Sequence, residues 1–247
     1  MSIEHLLFVC ITFVLGGILK GATGVGAPLI AIPVMALLVD LPFAVSVFLV
    51  PNIVSNIWQT WRFRKDRPEG KFPILFAVTG ILGAGIGTMV LAGFNSDILI
   101  GSVAMIVLLY VAFKLANPNW AMSWNLANKL VVPVGLVGGF LQGSTGLSAP
   151  ISVTFMNAVN LQRAQFIFTM SLFFLSMTLI QFPAQYALGI LTLERFIYGV
   201  VAVIPLFIGM SIGGYLGKRI SKPAFDKIII IVLSLLALRL LVSVFYG

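Results

Sequence analysis

The chain has 247 residues, of which 60% are hydrophobic and only 9% charged. That balance excludes an ordinary water-soluble domain and marks a membrane protein, because apolar runs of roughly 20 residues, enough to cross a bilayer, recur from end to end. The net charge of +8 does not point to nucleic acid, since the basic residues lie in short loops between apolar runs, and the lone cysteine, Cys10, excludes an internal disulfide.

In chain order, residues 4–21 are predicted to form the first transmembrane helix; no Lys or Arg precedes the apolar run, as a signal peptide would require. A break at 22–27 leads to a short apolar piece at 28–40, followed by helices near 42–61, 72–92 and 98–115. The second half repeats the series: a helix near 129–142, a break at 143–149, a short piece at 150–160, then helices near 164–184, 194–217 and 225–246. The short pieces have the length of a half-helix or re-entrant segment rather than a full span, so eight to ten membrane segments are expected. The fold class is an all-α polytopic membrane protein. Its single membrane domain is expected to hold two repeats, 1–125 and 126–247.

The repeat is carried by the segment at 16–28, GGILKGATGVGAP, which returns at 138–150 as GGFLQGSTGLSAP. Gly16, Gly17, Leu19, Gly21, Thr23, Gly24, Ala27 and Pro28 are matched by Gly138, Gly139, Leu141, Gly143, Thr145, Gly146, Ala149 and Pro150. Paired interruptions of apolar segments in corresponding places of two halves point to a transport site.

Orientation follows from the loops. Arg62, Arg64, Lys65, Arg67 and Lys71 crowd one loop, and Lys218, Arg219, Lys222 and Lys227 another, so both are expected in the cytoplasm. Their repeat counterparts carry Arg195 alone. A loop inside in one repeat thus matches a loop outside in the other, so the repeats are expected to be inverted, with both termini outside. Trp58, Trp61, Trp120 and Trp124 fit interfacial anchors.

A helix that restarts inside the membrane offers unpaired N–H groups and the positive end of its dipole, which suits an anion. Glycines at Gly21, Gly24, Gly26, Gly143 and Gly146 let a ligand approach the backbone. Thr23, Ser144, Thr145 and Ser148 add hydroxyls. The inverted arrangement is expected to bring both broken or re-entrant helices together near the bilayer midplane. The alternative for the glycines is close helix packing alone.

Lys20 directly precedes the first break, where its repeat mate is Gln142; it is the candidate counter-charge for a bound anion. Arg239 lies about 18 Å beyond Lys227 along the last helix, and either reaches the site or snorkels to the outer interface. Asn52 and Asn56 share one helix face, and Gln59 matches Gln181 at the repeat offset. These four line the path or hydrogen-bond between helices.

The seven acidic residues, Glu4, Asp40, Asp66, Glu69, Asp97, Glu194 and Asp226, fall in or next to predicted loops, and the only histidine, His5, at a membrane edge. No carboxylate relay, metal cluster, catalytic set or ATP-binding G-x-x-x-x-G-K-[ST] sequence is evident. No cofactor or enzymatic activity is therefore expected, and a secondary transporter or channel remains.

The stretch GATGVGAPLIAIP at 21–33, its second copy GSTGLSAP, the serial apolar segments and the length resemble the TauE/SafE sulfite-exporter family, over essentially the whole chain. Gly24, Gly26 and Pro33 meet the family's Gly-x-Gly run and later proline; in the second repeat Ser148 and Phe155 stand in their places. The resemblance implies a bacterial inner-membrane carrier that moves sulfite, sulfonates or related sulfur-containing anions, usually outward. The expected mechanism is alternating access, the anion sitting between the breaks on backbone N–H groups near 24–26 and 146–148, Thr23, Thr145 and Lys20. An anion channel, or an uptake carrier for another small organic anion, are the alternatives. The coupling ion, proton or sodium, and the oligomeric state are open; the expected partners are the small anion and the lipid bilayer.

Overall fold

The computed structural model describes residues 3–117, 120–217, 219, 230, 231, 233–239 and 242, and the regular elements among them are all helical. The helices are α1 (Ile3–Thr23), α2 (Ala27–Leu38), α3 (Leu41–Arg62), α4 (Phe72–Gly93), α5 (Ser96–Ala116), α6 (Trp124–Thr145), α7 (Ala149–Ala158), α8 (Arg163–Ala187) and α9 (Leu193–Leu216), with a 3-10 turn at Arg64–Asp66. Six of them, α3 to α6, α8 and α9, are long and apolar enough to cross a membrane. The described residues between 230 and 242 are also helical; the rest of the helix expected at 225–246 lies outside the described residues, as do Lys218, Lys222, Asp226 and Lys227.

The expected order of long and short helices holds, with shifted ends. α6 begins at Trp124, ahead of the expected 129, because the Ser123 side chain caps the start by accepting the Leu126 N–H at 3.4 Å. Both breaks are tighter than expected and shrink to residues 24–26 and 146–148. The short helices each start on a proline in the first turn, Pro28 and Pro150, where a missing N–H costs nothing.

The start of α3 is fixed by Asp40, whose carboxylate accepts the Phe43 N–H at 2.5 Å. An Asp40→Ala variant is expected to lower stability by about 1 kcal/mol, the usual loss for an N-cap, read as a small downward shift of a thermal melt in detergent. Its 3.9 Å approach to Arg195 is partly exposed and adds little.

Packing does not follow chain order. α1 lies against α9 and α6 against α4, so the first helix of each half meets the fourth helix of the other. The approach is backbone to backbone. A β-carbon built at Gly17 would lie 2.2 Å from the Leu206 carbonyl oxygen, and one at Gly139 2.2 Å from that of Gly80. Likewise Gly21 would meet the Met210 oxygen at 2.1 Å and Gly143 that of Ala84 at 2.3 Å. Lipid supplies no hydrophobic force between helices, so such close contact of small residues is what holds them.

In the centre, α3 and α8 run antiparallel, joined by hydrogen bonds from Asn52 to Thr178 and from Ser171 to Gln59. Aromatic rings fill the space beside them: Phe76 stacks on Phe173 at 3.8 Å, and Phe155 packs against Phe72 and Phe76. Phe155, which takes the place of the first repeat's Pro33, is therefore a packing residue. Large apolar side chains such as Leu82, Ile86, Met89, Leu109 and Ile204 point outward. An exposed apolar belt around a polar centre is the pattern a bilayer demands.

Candidate functional site

Lys20 sits one turn ahead of the first break and is only 2% exposed. Its ammonium donates to Asn56 Oδ1 at 2.7 Å. Asn56 Nδ2 donates in turn to Asn52 Oδ1 at 2.6 Å, and Asn52 Nδ2 to Thr178 Oγ1 at 2.9 Å. The chain of amides thus runs from α1 through α3 to α8. No ion pair of Lys20 occurs among the described residues, and the ammonium has three protons for one acceptor. Among the described residues, amides and no carboxylate surround this cation.

The two amides four residues apart on α3 do share a face, as expected, and they bond to each other. Sequence reading missed Ser171 and Thr178. Thr178 was findable, for it occupies the position of Asn56 in the second repeat; Ser171 corresponds to Leu49 and left no trace. Gln59 belongs to the same layer, accepting the Ser171 hydroxyl at 3.1 Å.

The break residues divide into distinct roles. Gly24 and Gly26 adopt φ of 88° and 99°, values that L side chains rarely take, and this turns the chain from α1 into α2. Gly21 and Gly143 face neighbouring helix backbones, so they serve packing rather than ligand approach. The threonine hydroxyls are engaged locally. The one hydroxyl proton of Thr23 lies between the Leu19 and Val25 carbonyls, and its oxygen accepts the Val25 N–H. Thr145 donates to the Leu141 carbonyl and accepts the Leu147 N–H. Both staple the breaks and offer no free proton to a ligand. Ser144 donates to Phe140 within its own helix.

The ends of the restarting helices differ. No side chain caps Gly26 at the start of α2. At the start of α7, Gln142 Oε1 accepts the Ser148 N–H at 3.3 Å. Gln142 and Lys20 are repeat mates, so one mate closes its helix start while the other turns away toward Asn56. Gln181 Nε2 reaches the Gln142 carbonyl at 3.2 Å. The Ser148 hydroxyl lies 3.4 Å from that of Ser152.

The turning glycines lie at different depths, but each helix restarts further in: a β-carbon at Gly16 would lie 2.9 Å from the Ala27 carbonyl oxygen, and one at Gly138 3.8 Å from the Ser152 β-carbon. A β-carbon at Gly24 would touch Ile167, near the start of α8; one at Gly146 would touch Ile32 and Val45, near the start of α3. Because α3 and α8 are antiparallel, these starts are at opposite ends of the bundle. The polar residues one turn ahead of the breaks, Lys20 and Gln142, also approach the middle. Arg163, whose Nη2 bonds the Ala22 carbonyl at 2.8 Å, marks the end that holds the first break. Asp40 and Arg195 mark the other. Arg239 is exposed and joins neither layer.

A cavity of about 600 Å³ lies apart from this site, between α4, α5 and α6, lined mostly by apolar side chains such as Val90, Phe94 and Met105. It reaches Ser144 and Thr145 but neither Lys20 nor Asn56. Among the described residues no cluster of three or more His, Cys, Asp or Glu is placed to hold a metal.

Comparison with known proteins agrees with a membrane transport fold. No curated protein and no solved structure matches the chain. The sequence model described as sulfite exporter TauE/SafE matches residues 9–240, nearly the full length. This multi-pass membrane protein therefore belongs to the TauE/SafE family of transporters.

Proposed function

We propose that the protein is a secondary transporter of small sulfur-containing anions, sulfite or a sulfonate, that exports them from the cytoplasm by alternating access. One observation carries the reading: the Lys20 ammonium, 2% exposed, has a single acceptor among the described residues, the Asn56 amide. A cation in the membrane interior without a carboxylate is costly and persists where it serves a ligand. The anion would supply the missing charge and accept the two remaining ammonium protons. Asn52, Asn56, Gln59, Ser171 and Thr178 would shape the polar layer around it, and the uncapped start of α2 would add its dipole.

Inverted repeats are supported by the matched contacts of α1 with α9 and α6 with α4, in which Gly17 and Gly139, and Gly21 and Gly143, meet equivalent carbonyl groups. The basic stretch at Arg62–Lys71 and Arg163 favour the cytoplasm for the end that holds the first break; the Asp40–Arg195 end would then face outward, across the inner membrane of a bacterium. Access alternates as contacts at one end open and those at the other close.

The test is the thermal stability of the purified protein in detergent with sulfite, sulfate, sulfoacetate, taurine, small carboxylates or thiols at matched ionic strength. A saturating rise with a sulfur oxyanion is expected, about 2.7 kcal/mol at one hundred times Kd. A rise with carboxylates and none with sulfur oxyanions would remove the sulfur substrate.

A further inference from the structure

Five buried side-chain atoms lack a hydrogen-bond partner among the described residues: the hydroxyl oxygens of Thr60 and Thr169, and three atoms on Gln181 and Gln185. Oε1 of Gln181 and both Nε2 and Oε1 of Gln185 have no hydrogen-bond partner, although each side chain is 0% exposed. Native proteins pair nearly all such atoms, so one wholly and one half unpaired amide on the same helix ask for a missing partner. The residues are four apart and share a face of α8.

Their position is set by the register of the central pair. Asn52 bonds to Thr178 and Gln59 to Ser171; the same register puts Gln185 at the depth of Val45, which a β-carbon at Gly146 would touch at 3.1 Å. Gln185 is therefore level with Gly146, the turning glycine of the second break. Gln181 is tied to that break through the Gln142 carbonyl, and Gln142 through Ser148. Along α8, Gln181 is about 10 Å and Gln185 about 16 Å beyond the depth of Asn56. The Gln185 carbonyl accepts the Ile190 and Leu191 N–H groups, and Arg195 Nη1 bonds the Ile190 carbonyl. The face thus leads from the Lys20 layer to the Asp40–Arg195 end.

We infer that Gln181 and Gln185, beside the turn of the second break, form a second, uncharged station for the transported oxyanion, between Lys20 and the Asp40–Arg195 end. This rests on the transport reading given above. The orphaned Nε2 of Gln185 donates to an oxygen of the anion. The two orphaned amide oxygens accept from water molecules that travel with it, so the anion here is only partly dehydrated. With no cation at this depth among the described residues, the station holds the anion more weakly than Lys20 does, as a release step needs.

Two measurements test it. In a Cys10→Ser background, Gln185→Cys and Gln181→Cys are treated with the anionic, membrane-impermeant thiol reagent 2-sulfonatoethyl methanethiosulfonate, applied to each face of proteoliposomes. At least one is expected to react, at least tenfold faster than Met177→Cys, a fully buried apolar position on the same helix. Monodisperse variants inert from both faces would overturn the station. Separately, Gln185→Leu is expected to melt at a higher temperature than wild type, to bind sulfite at the Lys20 site with unchanged Kd, and to carry sulfite about tenfold more slowly. A higher melting temperature with unchanged flux would make the unpaired amide atoms a tolerated packing defect and sink the proposal. Absence of sulfur-anion flux in the wild type would instead bring down the transport reading and the station with it.

Discussion

Lys20→Met is expected to abolish stabilisation by sulfite and leave a folded protein that melts no lower than wild type without ligand. The two halves of that expectation have one origin. Lys20 is buried with a single hydrogen bond to Asn56 and no ion pair among the described residues, so the ligand-free protein gains little from the charge. Replacing a buried, poorly compensated ion by an apolar side chain of similar length is often neutral or stabilising. The bound anion depends on that same ion. A hydrogen bond to a charged group contributes roughly 1.5–3 kcal/mol, so Kd should rise about 10- to 150-fold. Titration calorimetry with sulfite, paired with the melt, reads both quantities. An unchanged Kd in a monodisperse Lys20→Met protein would take Lys20 out of the site. Lys20→Arg is not a conservative control, because the planar guanidinium is wider and holds its donors in a fixed fork.

The other large effect falls on packing. Gly21→Val should cost most of the folded protein, seen as loss of the monodisperse peak in size-exclusion chromatography. Its first added carbon would lie 2.1 Å from the Met210 carbonyl oxygen and 2.8 Å from the Met210 Cα. These are backbone atoms of α9, so no rotamer change relieves the clash and the two helices must separate. Overpacking in an adaptable core costs about 1–3 kcal/mol; a rigid backbone contact should exceed that range. Gly85→Ala on α4, where the nearest neighbour is a side-chain carbon of Ile180 at 3.9 Å, is the matched control and should run like wild type. A Gly21→Val protein with normal yield and elution would mean that α1 and α9 are not held by this contact.

Much of the fold was legible because a bilayer writes it plainly. Long apolar runs, two Gly-and-Pro interruptions and basic loops are one-dimensional signals, and they gave the helices, the breaks and Lys20. Asn52 and Asn56 were legible through their four-residue spacing. What failed was whatever depends on a third helix. The expectation that Thr23 and Thr145 bind ligand overlooked that a hydroxyl next to a broken helix finds carbonyls of its own turn first. The glycines at 21 and 143 could not be told from ligand-facing ones until α9 and α4 were seen against them. Matching sequence fixes equivalence between halves but not the depth of each turning glycine, which only the contacts of Gly24 with Ile167 and of Gly146 with Val45 give. Gln185 carried no signal: its counterpart in the first repeat is Phe63.

The exchange of fourth helices between the halves has a consequence for how the protein is made. α1 leaves the ribosome first, yet the glycine face it must cover belongs to α9, which begins roughly 170 residues later. At about 5–20 residues per second, some 10–30 s of synthesis separate them. Throughout that interval the small-residue face of α1 lacks its final neighbour, although Lys20 can meet Asn56 of α3 early, so α1 is among the last helices to be closed over. An insertion partner that shields α1 in the meantime, or a stop in synthesis before α9, should therefore decide the yield of this protein more strongly than any loop.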